Sequence, residues 1–397
     1  MIKIGIAKEH KIPFDSRSPL TPKQSKKLDD FKEFSVCIEN SKIRCFSDNE
    51  FLREGIKGYD DLNHCDLIIG IKEIPVEKLI KEKTYLIFSH TIKEQRHNRN
   101  LLKEIINKKI KLIDYECLTR NKKRIIAFGK YAGIAGAYNT IMAYGLKYQL
   151  FKLKRLKEFK NKFELYKNNK EFIINQPIKI LVTGKGRVSK GCEELLNSFG
   201  IKKISIDEYI DTKYKHPTYS IIDPSNYYIS KENGSFNKKD FYDNPKNYKS
   251  NFKRFISKTD ILINGAYWNT NSPRLFEEKE INKKFNIKVI GDVSCDLNGS
   301  IPCTKKASTI DEPFFDYCIN SNKIKKAFDD INNITIMSID NLASELPRDS
   351  SDYFGRKLIN EILPLFINDE NNILLNATIT NKGKLLKKYN YLKDYIS

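Results

Sequence analysis

Short apolar runs and amphipathic stretches alternate along the chain, the pattern of a parallel sheet with crossover helices. In the first third the runs IKIGIAKE, FSVCIEN, DLIIGIK, YLIFSH and IKLIDYE read as strands. After the first of them, SPLTPKQSKKLDDF offers Thr21 as N-cap and Pro22 as first helical residue. Between the last two, RNLLKEIINKKI sets Leu101, Leu102, Ile105 and Ile106 on one helical face. From Tyr131 the small-residue-rich YAGIAGAYNTIMAYGLKYQLFKL reads as a closely packed helix leaving the first domain.

A second alternating unit starts at PIKILVTGKGRVSKGCEELLNSFGIKKISID: strand, glycine turn, helix, strand. Its helix carries Val188, Cys192, Leu195, Leu196 and Phe199 as one stripe. Residues 211–258 are polar and rich in Tyr and Asn, which predicts a local excursion with some helix and no third domain. Strands resume at DILINGAYW, IKVIGDVSCD and NITIMSID, and SELPRDSSDYFGRKLINEILPLFI reads as a helix that recrosses to the first domain. No solenoid-type repeat is present.

At 397 residues the chain is long enough for two cores. Its eight cysteines are scattered singly, without C-x-x-C pairs or metal-ligand spacing, which points to a reducing cytoplasm and predicts no metal site. No apolar stretch approaches the roughly 20 residues that span a bilayer, and the start lacks the apolar core of a signal peptide. A net charge of +21 invites a nucleic-acid partner, but the lysines are spread over almost the whole chain. The densest run, LFKLKRLKEFKNKF, spaces Leu150, Leu153 and Leu156 as one side of a solvated helix. The expected partners are therefore small molecules, with neither nucleic acid nor membrane; monomer and homo-oligomer both stay open.

Chemistry gathers at the strand ends. Lys72 closes LIIGI, His90 closes YLIFS and Glu116 follows LIDY, all at the carboxyl edge where open parallel sheets bind ligands. A buried lysine titrates nearer neutrality and histidine already does, so the pair is suited to moving protons to and from an amine and a water. Arg17 in DSRSPLTP reaches the same edge, and guanidinium is the natural bidentate partner of a carboxylate. His10, His64, His97 and His216 sit in polar, loop-like contexts and receive no role. In VTGKGRVSKG, Gly184, Gly186 and Gly191 mark a strand-to-helix turn suited to a pyrophosphate, although the third glycine of the fingerprint falls at Ser189. Asp207, about 20 residues on, is placed to take the ribose hydroxyls of NAD.

Eight segments in order and spacing, GIAKEH...DSRSPLTP, IGIKEIP, IFSHTIKEQ, DYECL, RIIAFGKYAGIAGAY, INGAYW, DVSCD...SIP and SIDNLASELPRDSS, carry a family likeness. They resemble the NAD-dependent, lysine-forming saccharopine dehydrogenases of the alanine dehydrogenase and transhydrogenase superfamily. The resemblance implies an α/β chain of two Rossmann-like domains whose parallel sheets flank an interdomain cleft: residues 1–135 plus 346–397 for substrate and catalysis, 136–345 for NAD. It implies oxidative cleavage of saccharopine to lysine and 2-oxoglutarate, with Lys72 accepting the amine proton and His90 as acid/base for the imine steps. Arg17, Lys93, Arg124 and Phe128 would line the substrate site, with Glu73, Glu116 and Asp340 tuning its charge. Arg187, Val188, Asp207, Tyr267 and Val293 fall at cofactor positions.

Saccharopine carries three carboxylates and two amines, so both signs of charge are expected around it. Two departures stand out. The family's IDHLP is here IDNLA beside Asp340, and Lys185 and Lys190 add charge to the glycine turn that would ease binding of a 2′-phosphate. The rival readings are a dehydrogenase of alanine or another small amino acid, and a basic binding protein that has lost the chemistry.

Overall fold

The computed structural model describes residues 1–12, 14–168, 177–282 and 284–397. The chain divides into two units, Met1–Phe128 with Pro347–Ser397, and Gly129–Leu346.

The first unit is built on an eight-stranded sheet. Its strands run, across the sheet, Lys384–Leu385, Thr378–Asn381, Lys111–Asp114, Thr84–Ile87, Leu67–Ile69, Ile2–Ile6, Phe34–Glu39 and Gly58–Tyr59. Six strands are parallel, and the last two in sequence are added antiparallel at one edge. The apolar runs form strands whose successive residues are buried, which calls for continuous Ile and Leu; Ile4, Ile6, Ile69, Leu86, Leu112 and Ile113 are fully buried. The helix Pro22–Asp29 starts where its sequence says. Thr21 accepts from the Gln24 amide, the Gln24 side chain accepts from the Thr21 amide, and Pro22 needs no donor partner there.

The second unit repeats the plan with strands ordered Lys202–Lys203, Thr218–Ile222, Lys179–Thr183, Ile261–Asn264, Val289–Asp292, Ile334–Met337, Phe314–Cys318 and Lys323–Lys325. The first six are parallel and the last two antiparallel. The small residues after Tyr131 have a packing reason. A Cβ on Gly133 would lie 2.0 Å from the Val188 carbonyl oxygen, and one on Gly191 1.9 Å from that of Lys130, so the helices Gly129–Lys147 and Arg187–Ser198 meet backbone to backbone.

Three expectations give way. The polar excursion hides a central strand, Thr218–Ile222, between Lys202–Lys203 and Lys179–Thr183, besides the hairpin Tyr228–Ser230 with Tyr248–Ser250. The basic run at 150–163 is no continuous helix: Leu153 and Leu156 are buried in an irregular segment and Leu150 is exposed. The last helix does not run straight to residue 366. It is α-helical over Pro347–Lys357, opens into a π turn at Leu358–Ile362 and tightens at Leu363–Phe366, where Pro364 cannot donate to an α ladder.

Candidate active site

Strand order in the first sheet reverses at Ile2–Ile6, which pairs with Phe34–Glu39 on one side and Leu67–Ile69 on the other. Loops diverge at such a point and leave a crevice beyond the strand ends. Glu9 follows the first strand, is buried, and accepts hydrogen bonds from the amides of Ile71 (2.6 Å) and Lys72 (2.9 Å). It thereby fixes the turn that presents Lys72. Burial and the nearby Asp15 carboxylate raise Glu9 to about 7, against the pull of those two amides and Arg17. Lys72, three residues past Ile69, is brought down to about 8 by burial first and then by the charges of Arg17 and Lys11.

Glu73 hydrogen-bonds His90 Nδ1, so Lys72 and His90 both adjoin one carboxylate. Burial works against the Glu73 charge, but the His90 hydrogen bond and the charges of His90 and Lys72 hold it below the usual carboxylate range. His90 sits three residues past Thr84–Ile87 with φ of 52°, a left-handed turn that aims its ring at Glu73. Glu116, two residues past Lys111–Asp114, accepts from Arg124 Nη2 at 3.0 Å and pairs with Lys93 Nζ at 3.4 Å through Oε1. Its Oε2 is buried and has no hydrogen-bond partner among the described residues, an arrangement that costs free energy unless a ligand donor arrives. Asp114 accepts from the amides of Ser89 (2.9 Å) and Glu116 (2.7 Å) and so ties the His90 and Glu116 loops together.

Arg17 is buried and differs from a free anion clamp. Its Nε and Nη2 donate to Asp15 Oδ1 (2.9 Å) and Oδ2 (2.6 Å), and its guanidinium lies 4.1 Å from the centre of the Phe128 ring. Phe128 stacks in turn on Phe354 at 4.5 Å. The first unit thus gathers Arg17, Lys72, Glu73, His90, Lys93, Glu116, Arg124 and Phe128 around its strand ends; Asp340 belongs to the second unit, exposed in the turn after Ile334–Met337.

In the second unit the order reverses at Lys179–Thr183, and the glycine turn follows that strand. Gly184 has φ of +92°, and a Cβ there would lie 3.1 Å from both the Gly265 carbonyl oxygen and Ser189 Oγ. Gly186 caps the helix Arg187–Ser198 with nothing within 4 Å of where a Cβ would be, which leaves its backbone open to a pyrophosphate. Ser189, in place of a third glycine, donates to the Thr183 carbonyl at 3.0 Å and braces the turn. Val188 and Val293 are half-buried, and Tyr267 is 85% exposed.

Asp207 does not end a strand beside the glycine turn, contrary to the sequence expectation. The strand before it stops at Lys203, Ser205 caps a new helix over Ile206–Asp211, and that strand is an edge strand not paired with Lys179–Thr183. The neighbouring position belongs to Thr218–Ile222, and Asp223 ends it. The Gly184 amide donates to the Ile222 carbonyl at 2.7 Å, and Lys185 Nζ lies 2.7 Å from Asp223 Oδ2. The sequence signal was available: TYSIID is an apolar strand ending in an acid, masked by its polar surroundings. Glu9, Asp15 and Asp114 were missed as well.

Two doubly wound sheets, one with titratable groups and one with a glycine turn at the point of reversal, define a chain of paired Rossmann-type units. Residues 5–135 match the model of the alanine dehydrogenase/PNT N-terminal domain. It is 29% identical over 442 residues to alpha-aminoadipic semialdehyde synthase, mitochondrial, of Mus musculus, a match covering 98% of this chain and 47% of that protein. The chain therefore spans about half the length of such relatives. To the saccharopine dehydrogenase [NAD(+), L-lysine-forming] of Emericella nidulans it is 27% identical, with 91% and 92% of the two chains covered. A solved L-alanine dehydrogenase shares the fold with a TM-score of 0.65 at 13% identity, covering 100% of both chains. The likeness to saccharopine dehydrogenases read from the sequence is borne out.

Proposed function

We propose that the chain is an NAD-dependent oxidoreductase that cleaves saccharopine to L-lysine and 2-oxoglutarate and runs the reverse condensation. The observation that carries this reading is Lys72, brought to about 8, beside the Glu73–His90 pair at the point of strand reversal. The fungal relatives that bear this activity in their names match over nine-tenths of both chains. The first unit would hold substrate and the second the dinucleotide. Eight free cysteines suit a reducing compartment, here the cytoplasm.

The glycine turn fits a dinucleotide, with Gly184, Gly186, Arg187 and Val188 around the pyrophosphate, Asp223 on the ribose, and Tyr267 and Val293 nearby. The bound NAD would accept a hydride from the carbon that bears the secondary amine. Neutral Lys72 first removes the amine proton and frees the nitrogen lone pair. His90, oriented through Nδ1 by Glu73, takes a proton from water and returns it to the departing amine. Saccharopine, NAD+ and water give lysine, 2-oxoglutarate, NADH and a proton. Lys93 and Arg124 supply positive charge for the carboxylates, with Arg17 held on Asp15 and Phe128. Glu73 and the unpartnered Oε2 of Glu116 supply negative charge for the amines. The test is NADH consumption with lysine plus 2-oxoglutarate. Consumption with pyruvate plus ammonia, and none with that pair, would sink this reading in favour of a small amino-acid dehydrogenase.

A further inference from the structure

Away from the strand ends that carry Lys72 and His90, the first unit holds a cluster the proposed reaction does not use. Cys37 lies in the strand Phe34–Glu39, and His64 and Cys65 lie in the turn that leads into Leu67–Ile69. Cys37 Sγ is 3.4 Å from Cys65 Sγ and 3.5 Å from His64 Nε2, and the three donor atoms all fall within 4.8 Å of one another. The strand Ile2–Ile6 runs between these elements, and a glycine leaves room for the thiols to meet there: a Cβ on Gly5 would lie 2.8 Å from Cys65 Sγ. Both cysteines are buried, whereas His64 is exposed and rests on Tyr59 with ring centres 4.4 Å apart.

Two chemistries use such a pair. A disulfide needs sulfurs about 2.05 Å apart. Two thiolates on a tetrahedral zinc ion, each about 2.3 Å from the metal, lie roughly 3.7 Å from each other, and a thiolate and an imidazole nitrogen roughly 3.5 Å apart. The two separations from Cys37, 3.4 Å to Cys65 and 3.5 Å to His64, lie near the second case and far from the first. We propose that Cys37, Cys65 and His64 form a binding site for a zinc-class divalent ion, three protein ligands with a water in the fourth position on the exposed His64 side. Two soft sulfurs and an imidazole select zinc over the hard, oxygen-seeking ions. On binding, each thiol still protonated passes its proton to solvent as its sulfur lone pair takes the metal. The ion would clip the turn before Leu67–Ile69 to the strand Phe34–Glu39, a structural role independent of the dehydrogenase reading.

The test uses the full-length, reduced protein with Zn2+ or Co2+ alone. One equivalent of Co2+ should give sulfur-to-metal charge-transfer absorption with a tetrahedral d–d pattern, and one equivalent of Zn2+ should displace it and raise the melting temperature. Cys37→Ser should abolish the charge-transfer band. His64→Ala, a surface change that leaves the core intact, should weaken binding at least tenfold and remove the thermal shift. Absence of a thiolate band in the native protein overturns the proposal, as does full-strength binding in folded His64→Ala. A reduced protein that refuses metal while Cys37 and Cys65 oxidise to a disulfide also overturns it.

Discussion

An ammonium taken out of water gives up its proton early, and Lys72 owes its lowered proton affinity to that fact more than to any partner. Lys72→Met should cut turnover at least about 100-fold, the scale of lost acid–base catalysis, while NADH affinity measured by fluorescence titration stays unchanged. Between about 8 and 10.5 the unfolded chain holds a proton that the folded Lys72 has lost. Stability from this group therefore rises with pH across that window, and the cost of burying the charge stands in full below it. The same variant should melt higher than the native protein at pH 7, with the gain shrinking by pH 10. For saccharopine oxidation, kcat/KM should fall as pH drops below about 8, and full activity at pH 6 would remove Lys72 as the base. Lys72 and His90 were legible because each ends an apolar run. Glu9 and Asp15 were not, because AKEHKIPFD looks like a solvated loop and only tertiary packing buries its acids.

Regular elements were read well where period and caps agree, as at Thr21–Pro22 and along Leu101, Leu102 and Ile105. They were read badly where a short strand lies inside polar text. Thr218–Ile222 takes the place beside the glycine turn that Lys202–Lys203 was expected to fill, so the acid that ends the neighbouring strand is Asp223 and not Asp207. Asp223→Ala should weaken NADH binding tenfold or more by calorimetry, whereas Asp207→Ala should leave it within twofold; the reverse ranking would restore the sequence reading. Glycines in one motif should also part company. Gly191→Ala drives a Cβ into the Lys130 carbonyl and should cost about 1–3 kcal/mol in denaturant melts, the usual range for overpacking. Gly186→Ala meets no atom, so it should fold normally and lose cofactor affinity.

At the scale of the molecule, a net charge of +21 spread along the chain says little about fold. The division of labour says more: residues 129–346 expressed alone should fold, bind NADH and show no turnover, since Lys72 and His90 lie in the other unit. Two-domain organisation was visible in the alternation of runs and in the helix after Tyr131. The return of the chain as paired strands Thr378–Asn381 and Lys384–Leu385 was not, because both are short and polar in composition. That return bears on biogenesis. The ribosome makes Thr378–Asn381 long after its antiparallel neighbour Lys111–Asp114, so the nascent first sheet must wait with a bare, sticky flank until that strand emerges. Meanwhile the intervening segment has already emerged whole, which makes this a protein whose later-made half is free to mature first and whose yield in cells should depend on chaperone cover for the earlier one.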